Sequence, residues 1–514
     1  MNRWYVVVAL TATSFSAASK AAELGFEQAW PQPFVFSPTV GATGVAQADG
    51  TVYVIGGTTL YALALADGAP TGSVTLDPAR FAAITGVAAH GSLVAITATP
   101  AQDRARTPGS LLLYDGAGLT ALDERPVGIG PDMVTFTNDG SRLLVANEGE
   151  PECRTEGDTA TLIDPPGSVT VLDLAGSAVT AVNTATFDRF NGRKQSLIDA
   201  GVRIYGPNAS VAQDLEPEHI AVSAYDGRAW VTLQENNAIA QLDLWRDPPR
   251  FAAIRSAGGS PIVPLGVKDH GDPANALDVS DQNGVTIDSY PGLVGMYLPD
   301  GIDAGRIHGQ TYLFTANEGD ARDYPPCFSE EKRVSDLALD PAAFTAQEAS
   351  TLSRLRVTAT EGNVGGVYHR LYAFGGRSFA VWSARGKLVY DSGDTIERTL
   401  AERFPDHLYE SRSDDKGPEP EELVLGRIAG KPYLFVGLER ANGVMAFDVA
   451  DPGHPGFAGF LAYPANASLP DGERPERLAF VPASANPKTA KPLLLVTNEV
   501  TRTVQAYTVS LTGS

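Results

Sequence analysis

The chain has 514 residues, with 61 Asp and Glu against 39 Lys and Arg, a formal charge of −22, 43% hydrophobic and 19% charged residues. That balance excludes a disordered polyelectrolyte. The carboxylate surplus excludes nucleic acid and anionic membrane as partners, because both require a basic face. The 52 Gly and 36 Pro recur between short apolar runs, the punctuation of many turns rather than long helices.

In chain order, residues 1–21 come first. Arg3 precedes an apolar run from Trp4 to Ala12, and small residues lead to Ser19-Lys20-Ala21. This predicts a secretory signal peptide cleaved near Ala21, and so an exported, periplasmic or extracellular protein. No later run reaches 18 apolar residues, so no transmembrane segment is expected in the mature chain. Residues 22–514 show no linker or composition break and read as one domain, expected to be a monomer. The two cysteines, Cys153 and Cys327, each follow an Ala-Asn-Glu-Gly motif. Export permits a disulfide between them, and two free thiols are the other reading.

Five segments repeat one pattern: 130–150, 216–236, 298–320, 419–440 and 474–499. Each opens with Pro and an acid, alternates apolar residues, turns, runs apolar again and ends on Glu. GPDMVTFTNDGSRLLVANEGE (130–150) is the type example. The runs are strand-length and rich in β-branched and aromatic residues. Asn138-Asp139-Gly140 and Asp226-Gly227 sit where a tight hairpin needs positive φ. In four cases a further apolar run follows: 168–174, 238–244, 443–449 and 503–509. Weaker units without the acids span 44–65, 86–116 and 367–393. Radially repeated antiparallel units predict an all-β fold, a β-propeller. The count is eight blades, with seven as the alternative because the unit at 367–393 lacks a clear innermost strand. Insertions at 175–213, 248–296, 324–360 and 395–417 are expected to crowd one face. Within them, Asp340-Pro341 predicts a helix start.

The sharpest signal is the acid pairs: Asp132 and Glu148, Glu218 and Glu235, Asp300 and Glu318, Glu421 and Glu439, Glu476 and Glu499. One acid starts a first strand and the other ends the second, so a hairpin returns both to one sheet edge. With first strands innermost, about ten carboxylates face one opening. Two carboxylates about 5 Å apart repel by about 3 kcal/mol at an effective dielectric of ~20, so such a ring needs protons, basic partners or metal ions. All-oxygen donors select hard divalent cations, Ca²⁺ first, with Mg²⁺ or Mn²⁺ as alternatives. Asn147, Asn317, Asp320, Asp323 and Asn498 add nearby oxygens. Acids at strand ends also cap turns or pair with Arg; recurrence in five units favours the cation-binding face. His219 adjoins Glu218 and is a candidate general base. Arg322, Arg412, Lys416 and Arg440 are candidates to hold an anionic substrate. The acids of 278–284 resemble a calcium loop but miss the EF-hand register. There is no nucleophile elbow, Walker A loop, H-E-x-x-H or haem motif.

The strings PDMVTFTNDGSRLLVANEGEPE (131–152), LEPEHIAVS (215–223), LFTANEGDARDY (313–324), VYDSGD (389–394), SRSDDKGPEPEELV (411–424), VGLERANGVMAFDV (436–449) and LLLVTNEV (493–500) resemble the choice-of-anchor I family of secreted bacterial proteins. The resemblance implies an exported β-propeller. Some members carry an alkaline-phosphatase label, and the family is similar in flavour to phytase-like propellers. It thus implies a metal-dependent phosphoric ester hydrolase acting on a small phosphorylated molecule. The rival expectation is a non-catalytic scaffold with structural calcium, recognising a surface ligand.

Overall fold

The structure is a computed structural model. It describes residues 23–37, 40–225, 227–253, 259–463 and 474–512, so the expected leader lies outside the described residues. Among them, seven antiparallel sheets share one meander order, in which each strand pairs with the next. The first runs Gly44–Ala48, Thr51–Gly56, Thr59–Ala64 and Pro70–Thr75. The third holds Pro131–Phe136, Arg142–Asn147, Ser168–Ala175 and Ala178–Thr186. The fourth holds Pro217–Val222, Arg228–Leu233, Ala238–Asp243 and Arg250–Phe251; the fifth begins with Ile302–Ile307 and Gln310–Asn317, and the sixth with Pro420–Ile428 and Lys431–Leu438. The seventh holds Pro475–Val481, Leu493–Asn498 and Thr503–Leu511, and its outer strand is the N-terminal Leu24–Gln28.

The chemistry of each hairpin explains its register. At 137–141, Asp139 accepts bonds from Thr137 Oγ1 and from Ser141 N and Oγ, while Gly140 takes a φ of 68°. These bonds, the Thr137 hydroxyl first, hold the Asp139 carboxyl down at about 2. The second strands are buried along almost their whole length, as in RLLVAN and LLLVTN. With both faces apolar, they must be covered on both sides.

The cover comes from the neighbouring sheets. Separate apolar clusters fill the gaps between consecutive sheets, from the first and second to the sixth and seventh. A further cluster joins the seventh to the first through Leu493, Leu495, Val52 and Val54. First strands touch in the same succession, and Pro475–Val481 touches Gly44–Ala48. The core is therefore a ring of wedges around a central channel, the architecture of a β-propeller.

The unit at 367–393 is not a sheet of its own. Its strand Ser378–Ser383 pairs onto Gln310–Asn317, and Leu388–Asp391 pairs onto Ser378–Ser383 and completes the fifth sheet. The residues between form part of a mixed sheet of Val267–Asp269, Leu293–Met296, Leu371–Ala373, Arg356–Thr358 and Glu331–Arg333. The helix expected at Asp340 starts later: it spans Ala346–Thr351, capped by Thr345 in a box with Glu348. Asp340 instead closes a turn by accepting the Ala342 amide. Two capping residues compete here, and the one with Glu at N3 wins because it satisfies two orphan amide groups at once.

Candidate functional site

Four of the five strong units carry the same local device. Pro131 pairs with Asn147, Pro217 with Leu233, Pro420 with Leu438 and Pro475 with Asn498, and in all four the register then slips across the next two residues. A bulge re-aims side chains that a regular strand would send to opposite faces. The acid and the residue after it can therefore both reach the channel. The second acid follows the end of the second strand, and its amide returns to the same edge: Glu148 donates to the Gly130 carbonyl, Glu439 to Glu419 and Glu499 to Arg474. Gly130, Leu298, Glu419 and Arg474, each just before the Pro, take positive φ.

At the channel, His219 Nδ1 lies 2.9 Å from Asp300 Oδ1 and its Nε2 3.5 Å from Glu422 Oε2. Arg477 reaches Asp300 at 3.1 Å and Glu421 at 3.4 Å. Burial opposes a charged imidazole, but Asp300 and Glu422 outweigh it and raise the His219 pKa. Asp300 is held as a carboxylate: burial works against the charge, and His219 and Arg477 overcome it. Asp132, Met133, His219, Glu422 and Arg477 help line a channel cavity of about 150 Å³.

Beyond this knot the acids outnumber their partners. Burial first, then neighbouring carboxylates, raises Glu148, Glu218 and Glu421 well above the usual range. Glu235 and Glu318 rise to about 7 and Glu439 to about 8, with burial the largest cause each time. Asp132 and Glu476 are raised as well, again by burial first. Oxygens of Asp300, Glu318 and Glu421 lie within 4.8 Å of one another, as do those of Glu318, Glu419 and Glu439. Glu235, 6% exposed, has a buried Oε2 with no hydrogen-bond partner. An all-oxygen donor set with an orphaned buried carboxylate oxygen fits a hard cation.

Not every expected ligand joins this group. Glu499 is 46% exposed and sits 3.7 Å from Arg474, and Asp320 is 59% exposed beside Lys416. The Asn147 and Asn317 amides bond within their own sheets, to Ser168 and Ser378. In the loop at 278–284, Asp281 is taken by both nitrogens of a forked Arg354.

The four cations expected to hold an anionic substrate already hold protein carboxylates. Arg322, buried, binds Asp214 at 3.0 Å and Glu216 at 2.7 Å over the ring of Tyr205. Arg412, Lys416 and Arg440 converge on the fully buried Glu419, at 2.5, 3.6 and 3.2 Å. Lys416 also donates to Glu318 at 2.7 Å. Sequence reasoning missed Glu419, Glu422 and Arg477. Glu422 and Arg477 follow the Pro-acid pair directly, at the position His219 holds in its own unit, and that shared offset was the available signal.

A pocket of about 450 Å³ opens beside the mouth, lined by Asp132, Glu148, Glu150, Tyr324 and Arg104 among others. Arg104 is exposed. The pocket wall includes Cys153, which is joined to Cys327 with a Cα–Cα distance of 5.7 Å. The bridge ties the hairpin Glu152–Glu156 to the loop after Asp323–Tyr324. No helix among the described residues is long and apolar enough to cross a membrane.

Comparison with known proteins bears on what this arrangement belongs to. A 241-residue stretch is 27% identical to the mesenchyme-specific cell surface glycoprotein of Strongylocentrotus purpuratus, covering 38% of this chain and 31% of that one. A 187-residue stretch is 28% identical to Gigasin-3a of Magallana gigas, covering 31% of this chain and 66% of that one. The matched stretches thus span under two thirds of either relative. Among solved structures, the WD40 domain of Toxoplasma gondii coronin superposes with a TM-score of 0.47 at 10% identity, covering 96% of this chain and 88% of that one. The model of the choice-of-anchor I domain matches residues 43–452, most of the chain, and the protein belongs to that family.

Proposed function

We propose that this is an exported, seven-bladed propeller whose acidic mouth binds divalent cations, Ca²⁺ first, and hydrolyses phosphoesters of small molecules. One observation carries the reading: carboxylate oxygens from separate sheets, those of Asp300, Glu318 and Glu421, come within 4.8 Å of one another. Asp300, Glu318 and Glu421 would hold one cation, with Glu148, Glu218 and Glu235 as further donors. A bound divalent cation supplies Lewis acidity toward a phosphoryl oxygen and lowers the pKa of a coordinated water. His219 is poorly placed as a general base, because its two nitrogens face Asp300 at 2.9 Å and Glu422 at 3.5 Å. Arg104 faces the pocket and is placed to meet a phosphoryl group entering there.

The test is release of phosphate from an aryl phosphate by the calcium-loaded protein, abolished by chelator. Absence of turnover across a phosphoester panel, in a metal-loaded preparation, defeats the hydrolase reading. A second reading then stands, a non-catalytic scaffold with structural calcium. It is favoured by the commitment of Arg412, Lys416 and Arg440 to Glu419.

A further inference from the structure

We infer that a second site, on the outer edge of the fourth sheet, binds an anionic polysaccharide. The chain carries a charge of −22, and its buried arginines sit against carboxylates: Arg203 on Glu330, Arg322 on Asp214, Arg377 on Glu397. At the outer edge of the fourth sheet the arginines are less fully paired. Arg228, Arg246 and Arg250 line a depression of about 570 Å³ together with Trp245. Arg189 and Arg193 stand on the 3₁₀ helix Asp188–Arg193. Phe187, just before that helix, stacks on Phe251 with ring centroids 4.1 Å apart and so brings Arg189 beside Arg250; burial, then the charge of Arg250, lowers the Arg189 pKa. Among the described residues, the carboxylates lining the depression are Asp243, 3.3 Å from Arg246, and Asp247. Among the described residues lining the depression, three arginines stand with two aspartates, and Arg189 adds a further cation beside Arg250.

Beside them Trp245 is 75% exposed. The indole lies close over Gly227, where an added Cβ would come within 2.4 Å of its Nε1. Trp245 is therefore seated on backbone, a platform with apolar area for the C–H face of a sugar ring. The guanidinium fork matches carboxylate and sulfate alike. Duplex nucleic acid, with a charge every ~1.7 Å along its axis, would extend over the surrounding acidic surface and be repelled.

The probes are heparin for sulfate, alginate for uronate, neutral dextran, single-stranded DNA and anionic vesicles, titrated onto the full chain by calorimetry. Heparin or alginate binds, with chelator making no difference, and whichever binds more tightly identifies the substituent. The exposed pair Arg189→Glu/Arg250→Glu weakens that binding about tenfold or more, equivalent to ~1.4 kcal/mol. Trp245→Ala weakens it independently, with each variant's fold checked by its thermal midpoint. Unchanged binding in both variants, equal binding of dextran, or tighter binding of DNA or vesicles overturns the inference.

Discussion

Replacing Glu421 with Gln is expected to act in opposite directions with and without calcium. Glu421 presents an oxygen within 4.8 Å of oxygens on both Asp300 and Glu318. At an effective dielectric of ~20, each fully charged pair at that distance costs roughly 3.5 kcal/mol. Arg477, 3.4 Å away, returns about 5 kcal/mol by the same arithmetic. The residue is a net repulsion of about 2 kcal/mol, shrinking as protons are taken up. In chelator, Glu421→Gln therefore stabilises the fold by ~1–2 kcal/mol. With calcium at a hundredfold excess over its Kd, the wild type gains ~2.7 kcal/mol and the variant loses most of that gain. Urea unfolding of both proteins, with chelator and with calcium, measures all four values. Equal stabilisation by calcium in both proteins, or a variant less stable than wild type in chelator, refutes the reasoning.

Glu419→Gln should behave differently. It leaves Arg412, Lys416 and Arg440 facing a neutral group in the interior, and is expected to cost ~3–5 kcal/mol with or without calcium. A loss seen only with calcium would move Glu419 into the ligand set. Stability in chelator should also fall as pH rises from about 4.5 to 8. Glu235, Glu318 and Glu439 titrate near 7, 7 and 8 in the fold, so between the unfolded and folded values the native state binds more protons. His219, also raised, adds to the same slope. Calcium, by replacing those protons, flattens it; a denaturation midpoint that climbs over this range contradicts the burial assigned to these groups. The Cys153–Cys327 bridge closes a span of 174 residues, and its replacement by two serines should cost ~2–5 kcal/mol in urea unfolding. No loss would show that the two loops hold each other without it.

The repeat was legible because hairpin chemistry is local. Asp139-Gly140, the alternating first strands and the buried second strands are each set by residues a few positions apart. The acid pairs were legible by recurrence at fixed offsets. What followed the acids was not: His219, Glu422 and Arg477 share a position but no chemistry, so no pattern of residue type marks them. Their convergence depends on the bulge after each Pro, which inserts no recognisable residue. Long-range pairing was equally hidden. Leu24–Gln28 closes the seventh sheet from the far end of the chain. The fifth sheet is interrupted between Asn317 and Ser378, so its outer strands read as a separate unit. The cations near the mouth were visible but misassigned, because composition shows that Arg412, Lys416 and Arg440 are positive and not that Glu419 lies buried among them.

Elemental analysis of the purified, folded protein after dialysis against calcium tests the central claim most directly. The account predicts at least one tightly held calcium per chain, lost in the variant carrying both Glu318→Gln and Glu421→Gln and kept when Trp245 is replaced by Ala. A protein that retains no divalent ion, or one whose calcium content is indifferent to those two glutamates, contradicts it.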